Sequence, residues 1–431
     1  MRRLAFALAV TLGASLFSRA AFAERLTVED VVARALASHP SVVASRARAA
    51  GGRAGSKSAF GRMLPSVHVS DEYQHWDSPF AINFGGGSFR ARDQDTNSFA
   101  ATADQPLVGL LRLHQDWRAE HASAEAADAQ ARVVEAALRE SIESEYLRMF
   151  QALALEQIAI ASERELSEQV TIADAKVRAG VLTTADLLRV RVAAANARQQ
   201  AIVARTQAQI SRVTLLAAIG LAPDAPVELA EPTSLLDGDR PYTQVAPVPS
   251  LIERALGDRL ELKQAELTAR AARHRARSRL YALLPDIDAE GGYLRVDGQV
   301  FAPPNQEYVG ARASWAIWDW GANWYARSAA ARLADAAAAD VEAERRQIRV
   351  EVASRRALVE SAASAVELAR ETIASAEEAY RITDAQLKAG TATTTDLLDA
   401  QSALTQSRLS LTRARYEEAV ARVSLARAIG E

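Results

Sequence analysis

Asp396 and Asp399 are the residues whose type and spacing first suggest chemistry. They lie six and nine residues after Gly390, at i and i+3, so a helix starting near Thr393 places both carboxylates on one face. The same stretch occurs earlier in the chain, where Asp186 and Arg189 hold the corresponding positions. A carboxylate in the first turn of a helix is favoured by the macrodipole alone, a reading that suits Asp186 and Asp396 better than Asp399. No catalytic constellation accompanies them. The chain has no cysteine, which excludes a thiolate nucleophile, a thiolate zinc site and a disulfide scaffold. The six histidines are scattered, and only His114 and His121 share a helix face, too far apart for one metal ion. Gly52-Arg53-Ala54-Gly55-Ser56-Lys57-Ser58 lacks the Gly-Lys-Ser order of a phosphate loop. The reading is of a protein that is not an enzyme and uses no cofactor and no metal. A formal charge of −3 gives no basic field for nucleic acid.

Long helices must carry the aspartates. All 13 prolines lie outside two windows, 107–222 and 305–431, and proline inside a helix costs about 3 kcal/mol. Gly180 and Gly220 are the only glycines between 110 and 220, and Gly390 and Gly430 the only ones between 322 and 431. Each window therefore reads as a helix of roughly 70 residues, a glycine turn and a helix of just under 40; the longer one reaches about 100 Å at 1.5 Å per residue. After Gly180, positions 188, 192, 195, 199, 202, 206, 209, 213 and 216 follow a 4-3 spacing and are expected to form the packing seam.

The chain is duplicated. Ala179-Gly180 with Thr183-Thr184 and Asp186-Leu187-Leu188 recurs 210 residues later as Ala389-Gly390 with Thr393-Thr394 and Asp396-Leu397-Leu398. Leu64-Pro65 recurs as Leu284-Pro285. The expected organisation is a first repeat over 24–222, a Pro-rich linker over 223–249 and a second repeat over 250–431. Residues 1–23 read as a signal peptide: Arg2 and Arg3, an apolar run from Leu4 to Leu16, and cleavage after Ala21-Phe22-Ala23. No later run is long and apolar enough for a membrane helix, so membrane insertion would need strands.

Each repeat has two strand candidates with period-2 alternation. Val67, Val69 and Tyr73 share one face, and Phe99, Ala101, Ala103 and Leu107 match Val309, Ala311, Ala313 and Ile317. Gly85-Gly86-Gly87 reads as a flexible loop between the first two strands. Trp315, Trp318, Trp320 and Trp324 close the last strand, as an aromatic girdle or as packing at the junction with the helix. Four strands cannot close a barrel, and open edges are not tolerated in lipid; two chains supply eight strands and three supply twelve. A periplasmic coiled-coil envelope protein without a pore is the competing reading.

The duplicated strand–strand–long helix–turn–helix unit, the two Ala-Gly-x-x-Thr-Thr-x-Asp-Leu-Leu turns, Gln105-Pro106-Leu107 and Trp315-Ala316-Ile317-Trp318-Asp319 together resemble the TolC-like outer membrane factors across essentially the whole mature chain. The resemblance implies a mainly α protein with a small β part: a homotrimeric α-barrel of long coiled-coil helices plus a 12-stranded β-barrel in the outer membrane lipid, four strands per chain, with most of the chain in the periplasm. It implies the exit duct of a tripartite efflux pump or type I secretion system, docked on a periplasmic adaptor (membrane fusion protein) and an inner-membrane transporter of RND, ABC or MFS type. Arg178, Gly180, Val181, Leu182, Thr183, Lys388, Gly390, Thr391 and Thr393 become adaptor-contacting tips, where Val181 and Leu182 read as an exposed apolar pair. Asp396, Asp399 and Asp186 become constriction residues. The tyrosine and arginine that flank the second tip glycine in the family's gate are replaced by Leu387 and Ala392.

Overall fold

The computed structural model describes residues 25–236 and 247–431; the signal peptide and part of the linker lie outside the described residues. The first half runs β1 (Arg25–Leu26), α1 (Val28–Ser38), α2 (Pro40–Gly61), β2 (Ser66–His75), β3 (Phe80–Phe84), β4 (Gly87–Pro106), α3 (Gly109–Arg178) and α4 (Thr184–Ala218). After β5 (Glu228–Leu229) and α5 (Thr233–Leu236) the second half follows the same plan: α6 (Val248–Asp258), α7 (Leu260–Tyr281), β6 (Asp286–Gln299), β7 (Asn305–Ser314), α8 (Ala322–Lys388) and α9 (Thr394–Ala428). The long helices have 70 and 67 residues and their partners 35 each, the lengths expected from proline and glycine placement.

The C-terminal ends of all four helices in the two hairpins use one device. At the first tip the Val181 N–H donates to the Lys176 carbonyl (2.9 Å) and the Gly180 N–H to the Val177 carbonyl (3.0 Å). At the second, the Thr391 N–H donates to the Gln386 carbonyl and the Gly390 N–H to the Leu387 carbonyl. This paired closure needs a left-handed residue, and Gly180 (φ 74°) and Gly390 (φ 78°) supply it. Gly220 and Gly430 close the returning helices with the same pair of bonds.

α4 packs on α3, α3 on α9, and α9 on α8. The α3–α4 seam is not the expected one. The buried residues of α4 are Leu187, Val190, Ala197, Ala201, Ala208, Leu215 and Leu216, so of the larger apolar residues in the expected seam Leu216 alone is buried and the contact face is turned to the neighbouring side of the helix. Leu188, Val192, Ile202 and Val213 of the expected seam are exposed in the protomer. Alanine wins the inner seam because the helices approach more closely over small side chains, leaving the larger apolar residues on an outward face.

Large side chains are buried mainly in a belt midway along the helices. Val31, Val32, Ile142, Tyr146, Leu147, Met149, Leu215, Leu216, Ile219 and Val423 form one cluster there, and Leu251, Ile348, Val352, Leu425 and Ile429 form its counterpart from the second half. The described residues of the 223–249 linker pack into this belt: β5 pairs in parallel with β1, and Leu235 of α5 is buried. The Tyr146 hydroxyl donates to the carbonyls of Leu26 and Ala230, tying both strands to α3. Burial, with the Glu29 charge nearby, pushes the Tyr146 hydroxyl up to about 12. Arg259, itself buried, pairs with Glu261 and Glu351, while Arg427 of α9 reaches Glu261 (2.9 Å) and Glu140 of α3 (3.4 Å).

The sheet order is β2-β4-β6-β7, all antiparallel, with β3 also on β4. The four long strands expected are present, joined by a short fifth. The anticipated glycine loop is instead a tight hairpin: Gly85 and Gly86, both at positive φ, turn β3 into β4, which starts at Gly87. β7 ends at Ser314 rather than running to Ile317, because its partner β6 starts opposite at Asp286, directly after Pro285. Trp315 turns instead to donate its indole N–H to the Leu283 carbonyl.

Candidate functional site: an amphipathic sheet above two helical tips

The strand registers sort side chains into two faces. Val67, Ala103, Gly291 and Val309 form one row across the sheet; Ala289–Ala311, with Gln105 beside them, and Ile287–Ala313 extend it below, and Val69, Ala101 and Tyr293 above, with Glu307 of the edge strand the charged exception. The next row up, Asp71, Phe99, Arg295 and Asn305, is mostly polar. The apolar rows cover about 20 Å of strand, close to the roughly 25 Å lipid band of a membrane barrel. The opposite face carries Ser66, Asp104 and Glu290, then His68, Thr102 and Tyr308, with Arg312 paired to Glu290 (2.5 Å). One face thus suits lipid and the other water. The two outer strands, β2 and β7, leave the sheet with an edge on each side.

At the opposite end of the molecule the two tips share a backbone and differ in charge. Thr183 caps α4: its hydroxyl accepts from the Asp186 N–H (3.2 Å) and donates to the Asp186 carboxylate (2.5 Å). Arg189 then pairs with the same carboxylate (3.1 Å). Thr393 caps α9 in a full capping box, with its N–H (2.8 Å) and hydroxyl (2.7 Å) both donating to Asp396. Those side-chain and backbone bonds from Thr393 hold the Asp396 carboxyl below its ordinary range. Asp399 is exposed one turn further and has no ion-pair partner among the described residues. Among the described residues no group of three His, Cys, Asp or Glu is placed to hold a metal ion.

The expected exposed apolar pair is only half present. Val181 is 73% exposed. Leu182 instead turns inward against Ala173, Leu187 and Val190 and fills the tip's own small core. Arg178 is paired with Asp174 (2.6 Å) and Lys388 with Asp384 (2.6 Å), each one turn back on its helix. The Thr391 hydroxyl donates to the Gln386 carbonyl.

The two tips touch through residues that sequence reading missed. Leu398 of α9 packs on the first tip's core. Gln401, 2% exposed, donates its side-chain amide to Glu165 of α3 (3.3 Å). Arg408 lies between Glu165 and Glu377, 3.9 Å from each. A glutamine at a buried seam position of α9, between Leu397 and Leu404, was the available signal: a polar residue at such a position specifies a particular partner.

The family profile described as outer membrane efflux protein matches residues 31–221 and 251–431. No curated protein matches the chain in sequence. Among solved structures, the outer membrane protein VceC of Vibrio cholerae superimposes with a TM-score of 0.80 at 16% identity, covering 94% of this chain and 96% of that one. A membrane protein of Pseudomonas aeruginosa gives 0.80 at 20% identity, covering 94% and 93%. The MtrE outer membrane channel of Neisseria gonorrhoeae, in its open state, gives 0.78 at 17%, covering 94% and 88%.

Proposed function

Because the chain belongs to the outer membrane efflux protein family, we propose that three copies close into one passive exit duct, a 12-stranded barrel in the outer membrane continued by a periplasmic tube of helices. The observation that carries this reading is the sheet of four long strands, with one mainly apolar face and an edge on each side. Lipid tolerates neither open edge, so β7 of one copy pairs with β2 of the next. Three copies give a lumen wide enough for water, whereas about eight strands would be filled by their own side chains. The outward face of α4, with Leu188, Val192, Ile202 and Val213, is covered by the neighbouring copy. A pore-free envelope spacer would have no use for the amphipathic sheet.

In this duct Asp396 and Asp399 form two stacked rings of carboxylates at the periplasmic constriction, with Asp186 beside them. Rings of one charge attract cations and repel anions. A periplasmic adaptor docks on the tips through Val181 and the polar groups of Arg178, Gly180, Thr183, Lys388, Gly390, Thr391 and Thr393, with Leu182 supporting the turn from within. An inner-membrane transporter of RND, ABC or MFS type delivers the cargo, for efflux or for type I secretion. Leu387 and Ala392 provide no tyrosine–arginine lock, so the link from Gln401 and Arg408 to Glu165 holds the second hairpin to the first.

Mass measurement of the purified protein in detergent tests the assembly. A trimer is expected; a monomer or a dimer overturns the duct. Val181→Asp tests docking: the trimer stays intact and export is lost. Unchanged export removes Val181 from the adaptor contact.

A further inference from the structure

Above the polar row of Asp71, Phe99, Arg295 and Asn305 the sheet should be hydrophilic, since nothing apolar surrounds it there. It is not. The β3–β4 hairpin carries Phe80 (55% exposed), Ile82 (44%) and Phe89 (58%), with Val300 and Phe301 of the β6–β7 turn also exposed nearby. The Val300 N–H donates to the Ala91 carbonyl, so that turn abuts the base of the hairpin.

The registers fix the side on which these residues lie. Ile82 is directly opposite Phe89, and Phe80 opposite Arg92; directly opposed residues of an antiparallel pair share a face. Ala91 is the extra residue where the register shifts between Phe80 and Ala81, so Phe89 and Arg92 end on the same side despite their odd separation. Arg92 in turn stacks on the Trp76 ring at 3.6 Å, and the Trp76 indole donates to Thr96 (3.0 Å). Thr96 alternates with Ser98 and Thr102 along β4, on the polar face. The apolar cluster therefore continues the water-facing side of the sheet, beyond the lipid band and turned away from lipid.

We propose that this hairpin is an interaction surface for second copies of itself: the hairpins of the assembled protein lean together over the outer mouth and close it with an apolar plug of Phe80, Ile82 and Phe89. The inference rests on the trimeric duct described above. Twelve tilted strands about 4.8 Å apart enclose a radius of roughly 12 Å. A five-residue strand such as β3 reaches about 17 Å, enough to arrive at the axis. A bulge at Ala91 is the kind of irregularity that bends a strand away from its sheet. An apolar constriction blocks ions by excluding water without any charged lock, so the duct carries two barriers of different kinds: carboxylates at the inner end and a dry plug at the outer end.

The absence of cysteine makes the test clean. Ile82→Cys in the otherwise native mature protein, reconstituted in lipid and mildly oxidised, is expected to give disulfide-linked dimers of protomers on a non-reducing gel. Ala81→Cys, on the other face of the hairpin, gives far fewer. The triple variant Phe80→Ser, Ile82→Ser, Phe89→Ser is expected to remain a trimer by mass and to conduct severalfold more than the parent in planar bilayers. A trimer that cross-links no better through Ile82→Cys than through Ala81→Cys, or whose triple variant conducts like the parent, overturns the plug while leaving the duct standing. A bimane label on Ile82→Cys that is quenched by brominated lipid places the hairpin on the membrane and also overturns it. A monomer in detergent refutes the duct itself, a separate outcome.

Discussion

The two tips are built on one backbone and carry different charges. Both reverse over a left-handed glycine with the same pair of hydrogen bonds, and both restart on a threonine that caps an aspartate. At the first tip Arg189 then neutralises Asp186, whereas at the second the equivalent position is Asp399 and the charge is left standing. After duplication the turn chemistry was retained, because each reversal needs it, while the next helical turn was free to acquire a different sign. The turn and the charge that follows it are therefore separable, and the difference between the tips is open to experiment.

The largest effect is expected from making the tips alike. Asp399→Arg copies the first tip onto the second; in planar-bilayer recordings cation selectivity should collapse or invert, and block by multivalent cations should disappear. The reciprocal Arg189→Asp should strengthen that block. If neither variant moves the reversal potential, Asp399 is an ordinary helix-start residue. Glu165→Ala comes next, since it removes the acceptor shared by Gln401 and Arg408 without touching either tip turn. Amide exchange over 394–408 should accelerate markedly while 184–198 changes little. Equal change in both segments would mean that the link holds neither hairpin specifically.

Gly180→Ala and Gly390→Ala should each cost about 1–2 kcal/mol, the price of a left-handed alanine, because nothing lies within 4 Å of an added Cβ at either site. Thermal melting should show two matching losses; a large asymmetry would break the claim of one shared backbone. The smallest effect concerns pH. The Asp396 carboxyl is held low by Thr393, so in an Asp399→Ala background cation selectivity should persist as pH falls through the usual carboxylate range. Adding Thr393→Ala should move its loss to higher pH. The sign follows from linkage: a depressed group stays ionised until pH drops through its folded value.

Helix lengths, tip turns and the duplication were legible because proline and glycine act locally. Most of the packing seam was misread, for a physical reason. Hydrophobicity singled out Leu188, Val192 and Ile202, yet helices in close contact prefer Ala197, Ala201 and Ala208 between them, and the larger residues face outward. β5 has two residues, too few for any alternation to register. β3 did alternate, and its Gly-Gly was a hairpin signal taken for a loop. Thr393 and Asp396 were readable as a cap from three-residue spacing, whereas Gln401 and Glu165 are 236 residues apart and only folding brings them together.

The belt of large side chains around Tyr146 has a mechanical consequence. Bulky packing is concentrated there, and the Tyr146 hydroxyl and the Arg427–Glu261–Glu140 pairs add polar ties, while the α3–α4 shaft below holds together largely through Ala152, Ala159, Ala197, Ala201 and Ala208. Tyr146 stands about 48 Å from the end of α3, counting 1.5 Å for each residue. The belt is a fulcrum and each hairpin a lever arm: a tilt of about 5° at the belt sweeps the tip through about 4 Å. In the proposed duct, opening of the inner end would need little repacking at the pivot, and a force applied at the tips would work with the full length of the arm.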